Sequence, residues 1–344
     1  MTPTTRLPRT WWRRAGLAML ALCVVLLAAW GALALWHQAP TPWRWPLIVA
    51  WVALALVTLA APWLRQRRRI GLVAGAGLLA LLAWWATLQP SHQRDWADDV
   101  ARLLEARVDA DRVVLRNVRN FDWHGEHDYS ARWETREYDL SQLASADLIL
   151  SYWMGPHIAH TLVSFGFDDG RQLVFSLEIR KERHESFSAI GGFFKAFETV
   201  LVAADEYDIV RVRTNARGEE VHLYRLAIGR EALRELFLGY VEEAGRIRAK
   251  PLYYNTLTSN CTTIVYDVAR RISPGLPLDP RLLLSGHFAE YAFDHGGLAA
   301  GHAYAELRAA GDITDRARHY HGGAAGFPAA IRAGVPGIDA GAVP

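Results

Sequence analysis

HTLVSFGFDDGRQLVFSLEI, residues His160 to Ile179, specifies a β-hairpin together with its register. Two runs of residues that alternate between two faces flank the loop Asp168-Asp169-Gly170. A three-residue loop that ends in glycine suits a type I turn closed by a G1 bulge. This loop predicts that Phe167 faces Arg171 across the hairpin.

Counting back from that pair places His160 opposite Glu178. A two-residue loop would oppose His160 to Ile179 and would bring the polar Ser176 into the apolar row, so the pattern favours the three-residue loop. In the favoured register one face is apolar throughout, apart from a threonine at its start: Thr161, Val163, Phe165, Phe167, Leu173, Phe175, Leu177 and Ile179. The other face mixes polar and apolar side chains: His160, Leu162, Ser164, Val174, Ser176 and Glu178.

The rest of the chain after about residue 90 alternates between strand and helix patterns. We expect further strands at Asp147–Trp153, Asp208–Arg213 and Val221–Ala227, the last two forming a pair. We expect helices at Gln93–Val108, Glu231–Arg248, Thr262–Ile272 and Phe288–Phe293. The fold class is therefore α+β, an antiparallel sheet with helices packed against it.

Three long apolar runs fill the first 90 residues and predict three transmembrane helices. Each is long enough to cross a hydrocarbon core ~30 Å thick. The runs are Ala15–Trp36, Trp43–Leu64 and Ile70–Leu88. Tryptophans lie at many of their borders, as expected of side chains at a membrane interface. A cleaved signal peptide is the alternative for the first run, but its length and the spans that follow argue against it.

Arginines set the expected orientation of these spans. They precede the first span and fill the loop between the second and third, whereas the first loop carries only Arg44. The positive-inside rule places the arginine-rich side in the cytoplasm, so the chain after about Gln89 is expected in the periplasm or its equivalent. We divide the chain into a cytoplasmic N-terminus (1–14), three spans (15–88), a periplasmic domain (89–321) and a Gly/Ala/Pro-rich tail (322–344) that we expect to be disordered.

The formal charge of +2 over 344 residues is nearly balanced. It gives no basic footprint for nucleic acid. The chain has 2 cysteines, and Cys23 lies inside the first predicted span. Cys261 is therefore the sole thiol of the periplasmic portion, either buried and inert or kept for its reactivity.

Cys261 begins a predicted amphipathic helix, after the capping candidates Ser259 and Asn260. The helix dipole and the free N–H groups of a first turn favour thiolate over thiol, and the same N–H groups can donate to an oxyanion. A cysteine nucleophile needs a base and a group that orients it. His160 and Glu178 supply both on one face of the predicted hairpin.

His160, Cys261 and Glu178 also have other interpretations. A histidine at a strand start is usually structural, a cysteine at a helix start is usually small and buried, and Glu178 could simply meet Arg180 or Lys181. The pairs His157-x-x-His160 and His124-x-x-His127 have spacing compatible with metal ligands, but neither forms a recognised site. We therefore expect no metal and no cofactor.

Several longer stretches carry a resemblance to a known family. They are VRNFDW, RWETREYDL, IAHTLVSFGFDDGRQLVFSLEIRKE, GFFKAFE, ADEYDIVRVRTNARGEEVHLYRL and YYNTLTSNCTT, with weaker continuation through HFAEYAFDHGGL and ITDRAR. Over about residues 113 to 320 the chain resembles the Lnb N-terminal periplasmic domain family of bacterial envelope proteins. The resemblance implies a papain-like thiol fold of the circularly permuted NlpC type, with Cys261 of SNCTT and His160 of IAHT as the catalytic pair.

Characterised members of that family are lipoprotein N-acyltransferases, which carry the acyl chain as a thioester on cysteine. The resemblance thus implies an enzyme of the bacterial inner membrane, with Cys261 acting on a phospholipid or lipoprotein substrate. Glu178 follows from the hairpin register rather than from the family. We expect Asn260 and Tyr254 to assist the oxyanion and Ser176 to line the site.

The chain departs from those enzymes in one respect, because their periplasmic domain precedes the membrane part and here three spans come first. A cysteine hydrolase with the same site, a peptidoglycan amidase or a lipid esterase, is the nearest alternative function. A non-catalytic envelope module that binds a partner or lipid is a third, and it would tolerate loss of the cysteine.

Overall fold

The computed structural model describes residues 9–256, 258, 261–273 and 275–338. These residues divide into two compact units. One holds the chain up to Pro90 together with Ser188–Ala196. The other holds Ser91–Phe187 and the chain from Phe197 onward.

The first unit contains three long helices, as the apolar runs predict: α1 (Arg9–Gln38), α2 (Thr41–Ala60) and α3 (Arg67–Thr87). All three are long and apolar enough to cross a membrane. Large apolar side chains such as Leu56 and Leu72 are exposed on their flanks. Exposure of this kind suits helices whose solvent is lipid.

The second unit is built on one large sheet. Its strands, with the two of a separate small hairpin, are β1 (Glu105–Asp109), β2 (Arg112–Arg119), β3 (Asp122–Trp123), β4 (Tyr129–Ser130), β5 (Trp133–Asp139), β6 (Leu143–Tyr152), β7 (Ala159–Phe167), β8 (Gln172–Arg180), β9 (Glu198–Ala204) and β10 (Glu220–Arg225). The order across the main sheet is β1-β2-β9-β8-β7-β6-β10, with β5 also paired to β2, and β3 pairs with β4 in a separate sheet. Pairing in the sheet is antiparallel except between β2 and β9.

Helices cover both faces of this sheet. They are α4 (Glu206–Arg211), α5 (Arg230–Ala249), α6 (Cys261–Ile272), α7 (Phe288–Asp294), α8 (Tyr304–Gly311), α9 (Thr314–Arg318) and α10 (Phe327–Arg332). Phe165 and Phe175 of the hairpin pack with Phe237 of α5 in one core. Leu162 and Val174, on the opposite face, belong to a second core. The predicted α+β class is confirmed.

The predicted hairpin and its register are also confirmed. Leu162 pairs with Ser176, and the Phe167 N–H donates to the Arg171 carbonyl at 3.0 Å. Gly170 has a φ of +81°, the left-handed conformation that a glycine at the last loop position accommodates. The central strands are buried on both sides, so the mixed face is a second packed layer.

The expected helix at Gln93–Val108 is wrong. This stretch contains a 3-10 turn at Asp98–Val100 and then enters β1. Its apolar residues are held one by one rather than as a helical stripe. The Arg180 guanidinium lies 4.4 Å from the ring centre of Trp96 and donates to the Val100 carbonyl at 3.1 Å.

The expected strand at Asp208–Arg213 is also wrong. The stretch belongs to α4 and to the π-helical turn Val212–Ala216 that follows it. Asp208 is fully buried and accepts from both Arg119 and Trp123 at 2.8 to 2.9 Å. These tertiary contacts override the alternating pattern, and β10 pairs with β6 instead.

The expectation of a disordered tail from Gly322 is wrong for residues 322–338. Phe327 is fully buried in α10. The buried Arg332 guanidinium lies 2.7 Å from Asp147 and forms a second ion pair with Glu206. The folded domain thus extends beyond the expected boundary at residue 321.

Candidate functional site

Cys261 is the first residue of α6 and is 6% exposed. The apolar stripe of α6 packs on α5 and on the hairpin, where Gly239 of α5 meets Val268 of α6. A Cβ added to Gly239 would lie 2.6 Å from a Val268 methyl group. This close approach fixes the helix that carries the thiol.

The second residue of β7 is His160, and its Nε2 faces the neighbouring strand β8. Nε2 lies 2.7 Å from the Ser176 hydroxyl and 3.2 Å from Oε1 of Glu178. The Ser176 hydroxyl in turn donates to the same Oε1 at 2.7 Å. Because Nε2 is engaged on this side, Nδ1 is the ring nitrogen left for the thiol.

The structure adds a residue that the sequence did not suggest. Arg213, in the π-helical turn, donates to Oε1 of Glu178 at 2.7 Å and to the Ile209 carbonyl at 2.9 Å. Its side chain is 3% exposed. The alternating pattern around Arg213 gives no signal for this role, because it predicts a strand.

Charge in this cluster favours the ionised form of each member. Burial would lower the pKa of His160, but the charges of Glu178 and Cys261 raise it to about 9. Burial would raise the pKa of Glu178, but His160 and Arg213 hold it well below its ordinary value. At neutral pH the imidazolium and the carboxylate therefore form an ion pair.

The thiol completes the cluster. Burial opposes ionisation of Cys261, yet the charge of His160 and a hydrogen bond to it lower the pKa of the thiol. The Thr161 N–H donates to Sγ at 3.4 Å. The Thr262 hydroxyl also favours the thiolate and lies 3.1 Å from the Thr161 hydroxyl. A thiol with a lowered pKa beside an imidazole with a raised pKa is an arrangement that favours the thiolate–imidazolium pair.

Two tyrosines flank the thiol. Burial, followed by the negative charges of Cys261 and Glu178, raises the pKa of Tyr254, which the sequence placed in the site. Burial and the charge of Cys261 likewise raise the pKa of Tyr240 of α5. Both hydroxyls therefore remain protonated. The predicted site residue Asn260 and the capping candidate Ser259 lie outside the described residues.

Among the described residues, neither histidine pair considered as metal ligands belongs to a group of three or more possible ligands. His157 meets His287, with Nδ1 and Nε2 2.8 Å apart, and His160 belongs to the thiol cluster. The described residues hold one other group of ligand type. Side chains of Glu220, His222 and Asp312 place one ligand atom each within 4.8 Å of the others.

The three apolar helices of the first unit indicate a membrane-anchored protein. Residues 129–286 match the family model described as Lnb N-terminal periplasmic domain. This match confirms the resemblance found in the sequence and, with the three apolar helices, indicates a membrane-anchored protein that carries a periplasmic domain. No curated protein and no solved structure matches the chain.

Proposed function

We propose that this protein is an inner-membrane acyltransferase that carries an acyl chain as a thioester on Cys261, within a papain-like domain of the permuted NlpC type. The observation that carries the proposal is the position of His160, charge-paired with Glu178 and hydrogen-bonded to Cys261. A lipid or lipoprotein substrate agrees with three membrane spans on the same chain.

In the first step the Cys261 thiolate attacks the carbonyl carbon of a phospholipid ester. The carbonyl π electrons move to oxygen, and N–H groups at the start of α6 stabilise the oxyanion, with the protonated Tyr254 as a further donor. As the tetrahedral intermediate collapses, the C–O bond breaks. His160 gives its Nδ1 proton to the leaving alkoxide, so lysophospholipid departs and the thioester remains.

In the second step the amine of the acceptor attacks the thioester carbonyl. His160 takes a proton from the attacking nitrogen, the C–S bond breaks and the thiolate is restored. Glu178 holds the imidazole through both steps and stabilises its cationic form, and Arg213 fixes Glu178. Each turnover moves one acyl group from oxygen to nitrogen without a cofactor.

The test is intact-mass spectrometry of the purified protein after incubation with phospholipid vesicles. We expect an added acyl mass that hydroxylamine removes, that maps to Cys261 and that is lost on addition of an amine-terminated lipopeptide. Cys23→Ser is the matched control and should acylate normally. Absence of an adduct would overturn the proposal in favour of a binding module if Cys261→Ala also fully restores function to cells that lack the protein.

Hydrolysis is the second candidate, because the same thioester can be released by water. It differs from transfer only in the acceptor. Release of free fatty acid at equal rates with and without the lipopeptide would favour a lipid esterase. Release of amine from peptidoglycan fragments, without any lipid-derived adduct, would favour an amidase.

A further inference from the structure

A short excursion between β8 and β9 belongs to the same compact unit as the three apolar helices. It comprises residues Ser188–Ala196 and includes a 3-10 turn at Gly191–Phe193. Arg180 and Glu198 pair where the chain leaves and re-enters the sheet. We call Ser188–Ala196 the helix-end segment.

Polar contacts hold the helix-end segment on the ends of α1 and α3. The Gln38 side-chain amide donates to the carbonyls of Phe194 and Lys195 at 3.0 and 2.7 Å. The Lys195 ammonium donates to the Trp85 carbonyl at 2.9 Å and lies 4.8 Å from the centre of the indole ring of Trp85. A cation beside the last carbonyls of a helix is favoured by the helix dipole.

The segment has one aromatic residue facing inward and two apolar residues facing outward. Phe194 is 7% exposed and stacks on His37 at 5.6 Å between ring centres. Its neighbour Phe193 is 41% exposed and Ile190 is 55% exposed. The contacts that fix the segment on the helices thus leave two large apolar side chains pointing away from them.

The length of α3 indicates the depth in the membrane at which Ile190 and Phe193 lie. α3 has 21 residues, and with a rise of about 1.5 Å per residue its length matches a hydrocarbon core ~30 Å thick. Its final turn, with Trp85, therefore lies at the border between acyl chains and headgroups. Since Lys195 binds the carbonyl of Trp85, the helix-end segment lies at that same border.

We propose that the helix-end segment is a lipid-contacting element, in which Ile190 and Phe193 insert among the acyl chains of the bilayer that holds α1–α3. Lys195 then lies at headgroup level, where a cation meets lipid phosphate. This goes beyond the proposed acyl transfer and does not depend on it. The segment is continuous along the chain with β8, the strand that carries Ser176 and Glu178.

The test uses the unmodified full chain in nanodiscs that contain a phospholipid with a photoactivatable diazirine near the start of one acyl chain. After irradiation and trypsin digestion, we expect lipid adducts on the peptide His184–Lys195. The matched control is the peptide Glu235–Arg246 of α5, which has the same length and whose large apolar residues lie in the domain core. It should carry no adduct above background.

A variant with Ile190→Ser and Phe193→Ser should lose most labelling of His184–Lys195 while the apolar helices remain labelled. Equal labelling of the two peptides in the unmodified protein would overturn the proposal, whether water or a protein partner covers the segment. That comparison needs no variant, so it decides even if the double substitution impairs folding. Cys261→Ala should label like the unmodified chain, which separates this outcome from the fate of the acyltransferase proposal.

Discussion

Nη2 of Arg213, a side chain that is 3% exposed, lies 2.7 Å from Oε1 of Glu178. The same oxygen atom is 3.2 Å from Nε2 of His160. One carboxylate oxygen thus faces two cations, and the two compete for its charge. Burial lowers the pKa of His160, the charge of Glu178 raises it, and the charge of Arg213 acts in the same direction as burial.

This competition predicts the pH dependence of activity. The acylation step needs a thiolate, present above the lowered pKa of Cys261, and an imidazolium, present below the His160 pKa of about 9. We expect a bell-shaped profile of the acylation rate with an alkaline limb near pH 9. Single-turnover acylation measured across the pH range checks it. A rate still rising above pH 10 would contradict the assignment.

Glu178→Gln removes the carboxylate charge that raises the His160 pKa. We expect the alkaline limb to move from near pH 9 toward the ordinary histidine value of about 6.5. The amide keeps an oxygen that can accept from Nε2, so the imidazole retains its orientation. A limb that stays at pH 9 would show that another group titrates there.

Arg213→Gln should move the alkaline limb in the opposite direction, to higher pH, because it removes a positive charge that lowers the His160 pKa. The variant also removes a buried charged partner of Glu178, so we expect lower stability. Comparing the pH profiles of Arg213→Gln and Glu178→Gln distinguishes an effect of charge from an effect of packing. An effect of charge moves the two alkaline limbs in opposite directions, whereas a purely structural loss would move both in the same direction or neither.

Cys261→Ala should lower acyl-transfer activity by about 10³-fold or more, as removal of a nucleophile does in other enzymes. Cys23→Ser is the control, since that residue lies in α1. The measurement is transfer of a labelled acyl chain to an amine-terminated lipopeptide. Equal activities of Cys261→Ala and the unmodified chain would exclude a thioester.

A pair of glycines on α5 tests how the cysteine helix is held. Gly245 has open space where a methyl group would be added, so Gly245→Ala should stabilise the protein by about 0.5–1 kcal/mol. In Gly239→Ala the added methyl group would clash with Val268 of α6, so we expect this substitution to destabilise the protein by about 1–3 kcal/mol. Urea unfolding measures both. Only Gly239→Ala should also slow acylation of Cys261, and equal acylation by both variants would contradict the role of this contact.

Loss of Arg332 should destabilise the domain strongly. Arg332→Leu would leave the buried carboxylates of Glu206 and Asp147 with less positive charge beside them. Removing one partner of a buried ion pair costs about 3–5 kcal/mol of stability. Arg225 still pairs with Asp147 at 2.6 Å, so the main deficit falls on Glu206. Urea unfolding and faster hydrogen exchange in α4 would show it. Arg234→Leu, which breaks a surface pair with Asp111, is the control and should change stability little.

Local sequence rules predict the hairpin well because the loop and the alternation specify the same register. They bring His160, Ser176 and Glu178 together from the pattern of residues alone. The three spans follow from length and hydropathy in the same way. These features depend on neighbours in sequence, or on the bilayer, and not on distant parts of the chain.

Arg213 could not be predicted, because its position depends on long-range contacts. α4 forms where Asp208 meets Arg119, a residue 89 positions away, and those contacts replace the strand that the alternation favours. The folded tail could not be predicted from the sequence for a similar reason. Its composition is that of a flexible segment, while its order comes from buried carboxylates on Asp147 and Glu206 far upstream.

The Arg332 ion pairs have a consequence for biogenesis. During export, Asp147, Glu206 and Arg225 all precede Arg332, so in a partly translocated chain Arg225 can pair with Asp147 while Glu206 lacks its arginine partner. Burial of Glu206 against the sheet that carries His160 and Glu178 is therefore unfavourable until α10 arrives. A chain stalled before Arg332 would present an open core to periplasmic proteases, so cleavage of incomplete chains would be favoured before the thiol site matures.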